Sequence, residues 1–92
     1  LSDKVAPAEL EDVLLTHPRI ADVAVIGLPD SRRGELVRAY VVRKDDKLRE
    51  EEVCRYVAGK LSPHKHLTGG VVFLEAIPKS AAGKILRREL RE

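Results

Sequence analysis

Methionine and tryptophan are absent from this 92-residue chain, cysteine occurs once, and only Tyr40, Tyr56 and Phe73 are aromatic. Each shortage removes a class of function. A single cysteine, Cys54, cannot close an internal disulfide, which fits a reducing, intracellular compartment. Scarce aromatics leave no series of platforms on which single-stranded bases would stack. No apolar run has membrane-spanning length and no signal peptide opens the sequence, so no membrane span is expected. Charge of one sign is also lacking. Seventeen basic and 15 acidic residues leave a net +2, which is not the footprint of a dedicated nucleic-acid binder. With Leu1 first and no Met, the sequence is expected to be a piece of a longer protein.

What remains is a single domain with a small core. Its apolar mass is mostly Val, Leu, Ile and Ala, which suits a sheet covered by helices. Pro7 to His17 reads as a helix. Pro7 suits the first helical position, Glu9, Glu11 and Asp12 complement the positive end of the dipole, and Leu10, Val13 and Leu14 form a stripe. Pro18 stops it. Ile20 to Leu28, nearly all apolar, predicts a strand covered on both faces. Pro29-Asp30-Ser31 reads as a turn. Leu36 to Arg43 is a second strand, with Val37, Ala39 and Val41 on one face and Arg38 and Tyr40 on the other.

Arg49 to Leu61 reads as a second helix burying Val53, Val57 and Leu61, with Tyr56 beside them. Ser62-Pro63 ends it. Val71 to Leu74 is a third strand, Ser80 to Gly83 a small, polar, flexible loop, and Lys84 to Glu92 a basic final helix. The short link between the first two strands requires antiparallel pairing. The expected fold is therefore a small α/β (α+β) sandwich, with a central three-stranded, largely antiparallel sheet flanked by helices.

The stretch Pro78-Lys79-Ser80-Ala81-Ala82-Gly83-Lys84-Ile85-Leu86-Arg87 carries the chemistry. Gly83 permits a tight turn or close approach to a ligand. Lys84, placed at a helix start, opposes the dipole, and such a cation can signal an anion from elsewhere. From spacing alone, an exposed surface lysine is the plainer reading. The spacing is not a Walker phosphate loop, which needs two glycines and a following Ser or Thr, so autonomous nucleotide hydrolysis is rejected.

Pro78-Lys79-Ser80, Gly83-Lys84-Ile85 and Arg87 together resemble the last core motif of the adenylate-forming superfamily. That superfamily includes acyl-CoA synthetases, 4-coumarate-CoA ligases, nonribosomal peptide adenylation domains and firefly luciferase. Three more stretches agree in order. Val5-Ala6-Pro7-Ala8-Glu9-Leu10-Glu11 resembles the start of the family's first C-domain helix. Gly27-Leu28-Pro29-Asp30 with Gly34-Glu35 resembles its strand-to-strand connection. Lys65-His66-Leu67-Thr68-Gly69-Gly70-Val71 resembles the approach to its third strand. The four span nearly the whole chain.

The resemblance implies that residues 1–92 are the mobile C-terminal domain of an ATP-dependent carboxylate-CoA ligase of the 4-coumarate-CoA ligase and luciferase branch. It implies a large N-terminal domain that binds ATP, Mg2+ and the carboxylic acid. Lys84 is then the catalytic residue of acyl-adenylate formation, in a loop positioned by Lys79, Ser80 and Gly83. After a domain rotation, another face meets CoA. Alternatives are a luciferase-type monooxygenase using the same adenylation step, and a binding module without catalysis. Gly83-Lys84 argues against the latter. A cytoplasmic or peroxisomal site follows from the same resemblance.

The chain departs from the family pattern at Leu1-Ser2-Asp3-Lys4, where members usually carry Lys-Gly-aromatic-Gln or end in a basic residue. The family's hinge residue lies further upstream, so Asp3 is not assigned to it. Lys4 stands where some relatives place an arginine that contacts substrate phosphates. Lys60 and Lys65 are candidates for CoA phosphates, with helix-end solvation as the plainer reading. Gly69 and Gly70 serve a tight turn into the strand or the close approach of pantetheine. His17, His64 and His66 read as surface histidines, and no metal site is expected. Cys54 lacks a partner that would make it a nucleophile. Glu35 receives no catalytic role, and Arg87, Arg88 and Arg91 read as a solvated basic face.

Overall fold

A computed structural model of the chain describes residues 7–32, 34–60 and 67–90. The elements follow in the order α1 (Pro7–Leu15), β1 (Ile20–Asp30), β2 (Gly34–Arg43), α2 (Glu50–Lys60), β3 (Val71–Phe73) and α3 (Arg87–Leu90). β2 lies between the other two strands. It pairs antiparallel with β1 and parallel with β3, so the sheet is mixed, with the antiparallel ladder the longer of the two. The parallel pairing requires a crossover, and α2 supplies it.

Alternation along β1 divides the core. Val23 and Val25 face one side and pack with Leu10 and Leu14 of α1 and Val53 and Val57 of α2. Ala24 and Ile26 face the other, with Tyr40, Ile77, Ile85 and Leu90. The prediction of a strand covered on both faces is met. So is the division of β2, with Val37, Ala39 and Val41 in the first cluster and Tyr40 in the second. Tyr40 ties the second layer down through its hydroxyl, which donates to the Leu90 carbonyl at 2.8 Å.

Element ends differ from expectation for identifiable reasons. α1 stops at Leu15 because Thr16 and His17 donate to Val13 and Leu14, tightening the last turn to three-residue spacing. β1 runs through Pro29 to Asp30, where a turn was expected. Residues opposite each other alternate between exchanging both hydrogen bonds and exchanging none. Ala39 gives its N–H to Gly70, on the β3 side, so Val25 opposite it points its polar groups out of the sheet edge. Two-residue periodicity puts Pro29 in the same orientation, so its missing N–H costs the ladder nothing.

The final helix is the largest correction. Within the described residues it covers Arg87–Leu90, so it starts at Arg87 rather than at Lys84. Leu86 N–H donates to Pro78 and Ser80 N–H donates to Lys84, so Lys84 to Leu86 are held in a hairpin and are unavailable to a helix.

Among the described residues, no helix is long and apolar enough to cross a membrane. The division of α1 gives a stability test. Leu14 is fully buried and Leu15 is 48% exposed. Leu14→Ala should cost about 2–5 kcal/mol in urea denaturation. Leu15→Ala should change stability by less than about 0.5 kcal/mol.

Candidate functional site

The site grows from a turn. Gly83 N–H donates to the Ser80 carbonyl at 2.9 Å, and Ser80 N–H donates to the Lys84 carbonyl at 2.8 Å. Gly83 has φ +86°. A turn followed by one residue of left-handed conformation is a standard three-residue hairpin loop, and glycine suits its last position. Open space surrounds the place where a Gly83 Cβ would stand, so backbone conformation, not crowding, restricts the residue. The Ser80 hydroxyl adds an acceptor for Lys84 N–H at 3.2 Å. Lys79 and Ile85 bridge the two arms. The flexible loop expected at Ser80 to Gly83 is thus a turn closed by its own hydrogen bonds.

Lys84 sits at the end of this turn with an exposed side chain. Its ammonium forms no ion pair among the described residues. The cations on either side are tied. Lys79 Nζ lies 2.6 Å from Asp22 Oδ2. Arg87 donates to Glu11 Oε2 at 2.6 Å through one nitrogen, and to the Val25 carbonyl at 3.1 Å through Nε. Glu11, only 8% exposed, also accepts Val25 N–H at 2.8 Å. Carboxylate and guanidinium together satisfy both outward polar groups of Val25. Arg87 is therefore tied into a part-buried network rather than standing on the solvated basic face expected of it.

Glu11 and Asp22 were missed as site residues. Glu11 carried a usable signal. It adjoins Leu10 and lies three residues before Leu14, on the inward side of α1, and a carboxylate placed there needs a cation. Its partner lies 76 residues away. Asp22, in an apolar strand, carried a similar but weaker sign.

The remaining candidates are scattered. Lys60 closes α2, with its ammonium 5.1 Å from the centre of the Tyr56 ring. Gly70 meets Glu50 at the opposite end of that helix, about 15 Å away along its axis, so Lys60 and the glycine pair do not converge. Gly69 N–H donates to the Val37 carbonyl at 2.6 Å, and a Cβ on Gly69 would stand 3.0 Å from that same oxygen. Gly70 has φ +87°. Both glycines thus have reasons in the turn that leads into β3. Lys4, Lys65, His64, His66 and Arg91 lie outside the described residues.

His17 is buried at 6% exposure, contrary to the surface reading. Its Nδ1 accepts Arg19 N–H, leaving Nε2 to donate toward Glu52 at 3.0 Å, and its ring meets Tyr56 edge-on. Burial, and then the charges of Glu50 and Glu51, raise the Cys54 thiol pKa, so this cysteine is a poor nucleophile. Glu35 lies exposed on β2. Among the described residues, no group of three or more His, Cys, Asp or Glu could hold a metal ion.

Residues 9–84 match the AMP-binding enzyme C-terminal domain family. The acyl-CoA ligase azaF of Aspergillus niger is 58% identical over 88 residues, covering 95% of this chain and 17% of its own length. The phenylacetyl-CoA ligase epaB of Aspergillus niger is 56% identical over 90 residues, covering 97% and 17%. ATP-bound MatB from Rhodopseudomonas palustris superposes with a TM-score of 0.86 at 33% identity, over 95% of this chain and 17% of that one. The chain thus spans about a sixth of the length of these relatives. Its fold, its hairpin sequence and these similarities place it in the AMP-binding enzyme C-terminal domain family, as a C-terminal domain of the adenylate-forming superfamily.

Proposed function

We propose that this chain is the mobile C-terminal domain of an ATP-dependent carboxylate-CoA ligase, and that Lys84 acts in acyl-adenylate formation. The observation that carries the reading is the contrast within the hairpin. Lys79 and Arg87 are bound to carboxylates, while Lys84 stands exposed at the turn, without an ionic partner among the described residues. An exposed ammonium on a closed turn is available to an anion brought by another domain.

In the proposed step, a substrate carboxylate oxygen attacks the α-phosphorus of ATP. The P–O bond to the β-phosphate breaks, and pyrophosphate leaves with the electron pair. Negative charge develops on the phosphoryl oxygens, where a fixed cation stabilises the transition state more than the ground state. ATP and the acid would be held by a large N-terminal domain, in keeping with the small share of its relatives that this chain covers. Mg2+ would belong there too, held with the phosphates of ATP. A rotation would then withdraw Lys84 and present another face, including Lys60, to CoA.

Pyrophosphate release from ATP with a panel of carboxylic acids tests the whole proposal. The full-length protein should turn over and the 92-residue chain alone should not. Release by this chain alone would sink the division of labour. Within the full-length protein, Lys84→Ala should lower adenylation by about 10²–10³-fold. Thioester formation from pre-made acyl-adenylate and CoA should be largely spared, and an equal fall in both half-reactions would contradict a first-step role.

Gly83→Ala should also slow adenylation. Holding alanine in the left-handed conformation costs about 1–2 kcal/mol, so the turn should relax and displace Lys84. Ala82→Gly should be milder, since the turn places no left-handed residue there. Equal rates for Gly83→Ala and the parent would show that the turn's conformation does not matter to the step.

A further inference from the structure

We propose that Glu11, Asp22, Lys79 and Arg87 are positioning residues that dock the Lys84 hairpin on the open edge of β1. The proposal rests on the assignment of Lys84 to adenylation. Its basis is a repeated arrangement. Val23 and Val25 lie opposite Val41 and Ala39, which bond toward the β3 side, through the Val41 carbonyl to Leu74 N–H and through Ala39 N–H to Gly70. Both β1 residues therefore point their polar groups out of the edge.

A carboxylate meets each of the two outward N–H groups, Asp22 Oδ1 at Val23 and Glu11 Oε2 at Val25. Each carboxylate also binds one cation flanking the hairpin, Lys79 and Arg87 respectively. Lys79 precedes the turn and Arg87 follows it. The two arms are thus fixed separately to one strand. The turn between them closes on itself, which leaves the Lys84 backbone little freedom to shift. Glu11 belongs to α1 on one side of the sheet and Arg87 to α3 on the other, so this second anchor wraps the strand edge.

Conservative amides separate positioning from edge satisfaction. Asp22→Asn and Glu11→Gln keep an acceptor for the backbone N–H but lose the attraction for the cation. The full-length protein carrying each change is assayed with whichever acid, from a panel including phenylacetate and 4-coumarate, gives the parent its fastest pyrophosphate release. Asp22→Asn, Glu11→Gln and Lys79→Ala should each lower adenylation by about ten- to a hundredfold, the scale of a misplacement near 1 Å. Thioester formation from the matching pre-made adenylate should stay near the parent rate, and Lys79→Arg should restore adenylation. Lys84→Ala runs in parallel. If it loses adenylation while the other variants keep it, docking does not position Lys84 and the inference falls alone. If Lys84→Ala itself keeps adenylation, the assignment beneath falls and takes the inference with it. A matched loss in both half-reactions marks a merely structural role and also overturns it. Where Glu11→Gln does not fold, the half-exposed Asp22–Lys79 pair decides the matter.

Discussion

Val25 holds a buried N–H and a buried C=O at the outer edge of β1, where no strand takes them. Left unmet, each such group costs about 1–3 kcal/mol. Glu11 and Arg87 meet both, and they can do so only together. A lone carboxylate in that position would be an uncompensated charge, while a lone guanidinium would leave the Val25 N–H without an acceptor. The pair takes the place of a missing neighbouring strand. It also blunts an edge that would otherwise be open to pairing with another chain. Because Arg87 comes from the last described element and Glu11 from the first, satisfying this edge ties the two ends of the described fold together.

The hairpin takes its place from the same constraint. Arg87 is reached only if the chain comes back along β1 after Ile77, and Lys79 makes a similar bond to Asp22 on its way into the turn. Ile85, between the arms and the sheet, packs in the second apolar cluster. Apolar packing below and ion pairs at both flanks leave one basic side chain of the turn region, Lys84, directed to solvent. Removing the more exposed Asp22–Lys79 pair would leave the core largely intact. What would change is where an exposed ammonium stands relative to the rest of the domain.

Much of this architecture was legible in the sequence, because it depends on local periodicity. The stripe Leu10, Val13, Leu14 marked α1, the continuous apolar run marked β1 as covered on both faces, and alternation divided β2 correctly. The hairpin motif was legible as a resemblance. The failures arise where hydrogen bonds and packing outside the periodic pattern decide the conformation. α3 starts at Arg87 rather than at Lys84 because Lys84 bonds back to Ser80. Pro29 lay inside a strand because its orientation toward the open edge depends on what β2 and β3 exchange. His17 turned inward because Glu52 and Tyr56, on α2, enclose it. Composition marks such residues as polar, and only the fold says which of them are buried.

The two sides of the sheet bear on the proposed change of orientation. Ile85, next to Lys84, packs in the cluster below one face, while Val53 and Val57 of α2 pack on the other. Lys60 closes that second helix. The cation proposed for adenylation and the described cation proposed for CoA are therefore carried by layers on opposite sides of one sheet. A sheet core packed on both faces does not deform enough to bring such layers to a common point, since close-packed interiors resist small displacements. Under the proposed rotation, the two layers would serve one active site in turn, with the domain moving as a body between two orientations. Hairpin docking then has a consistent meaning. A lysine that leaves and returns with the whole domain can be correctly placed on each return only if its position within the domain is fixed beforehand.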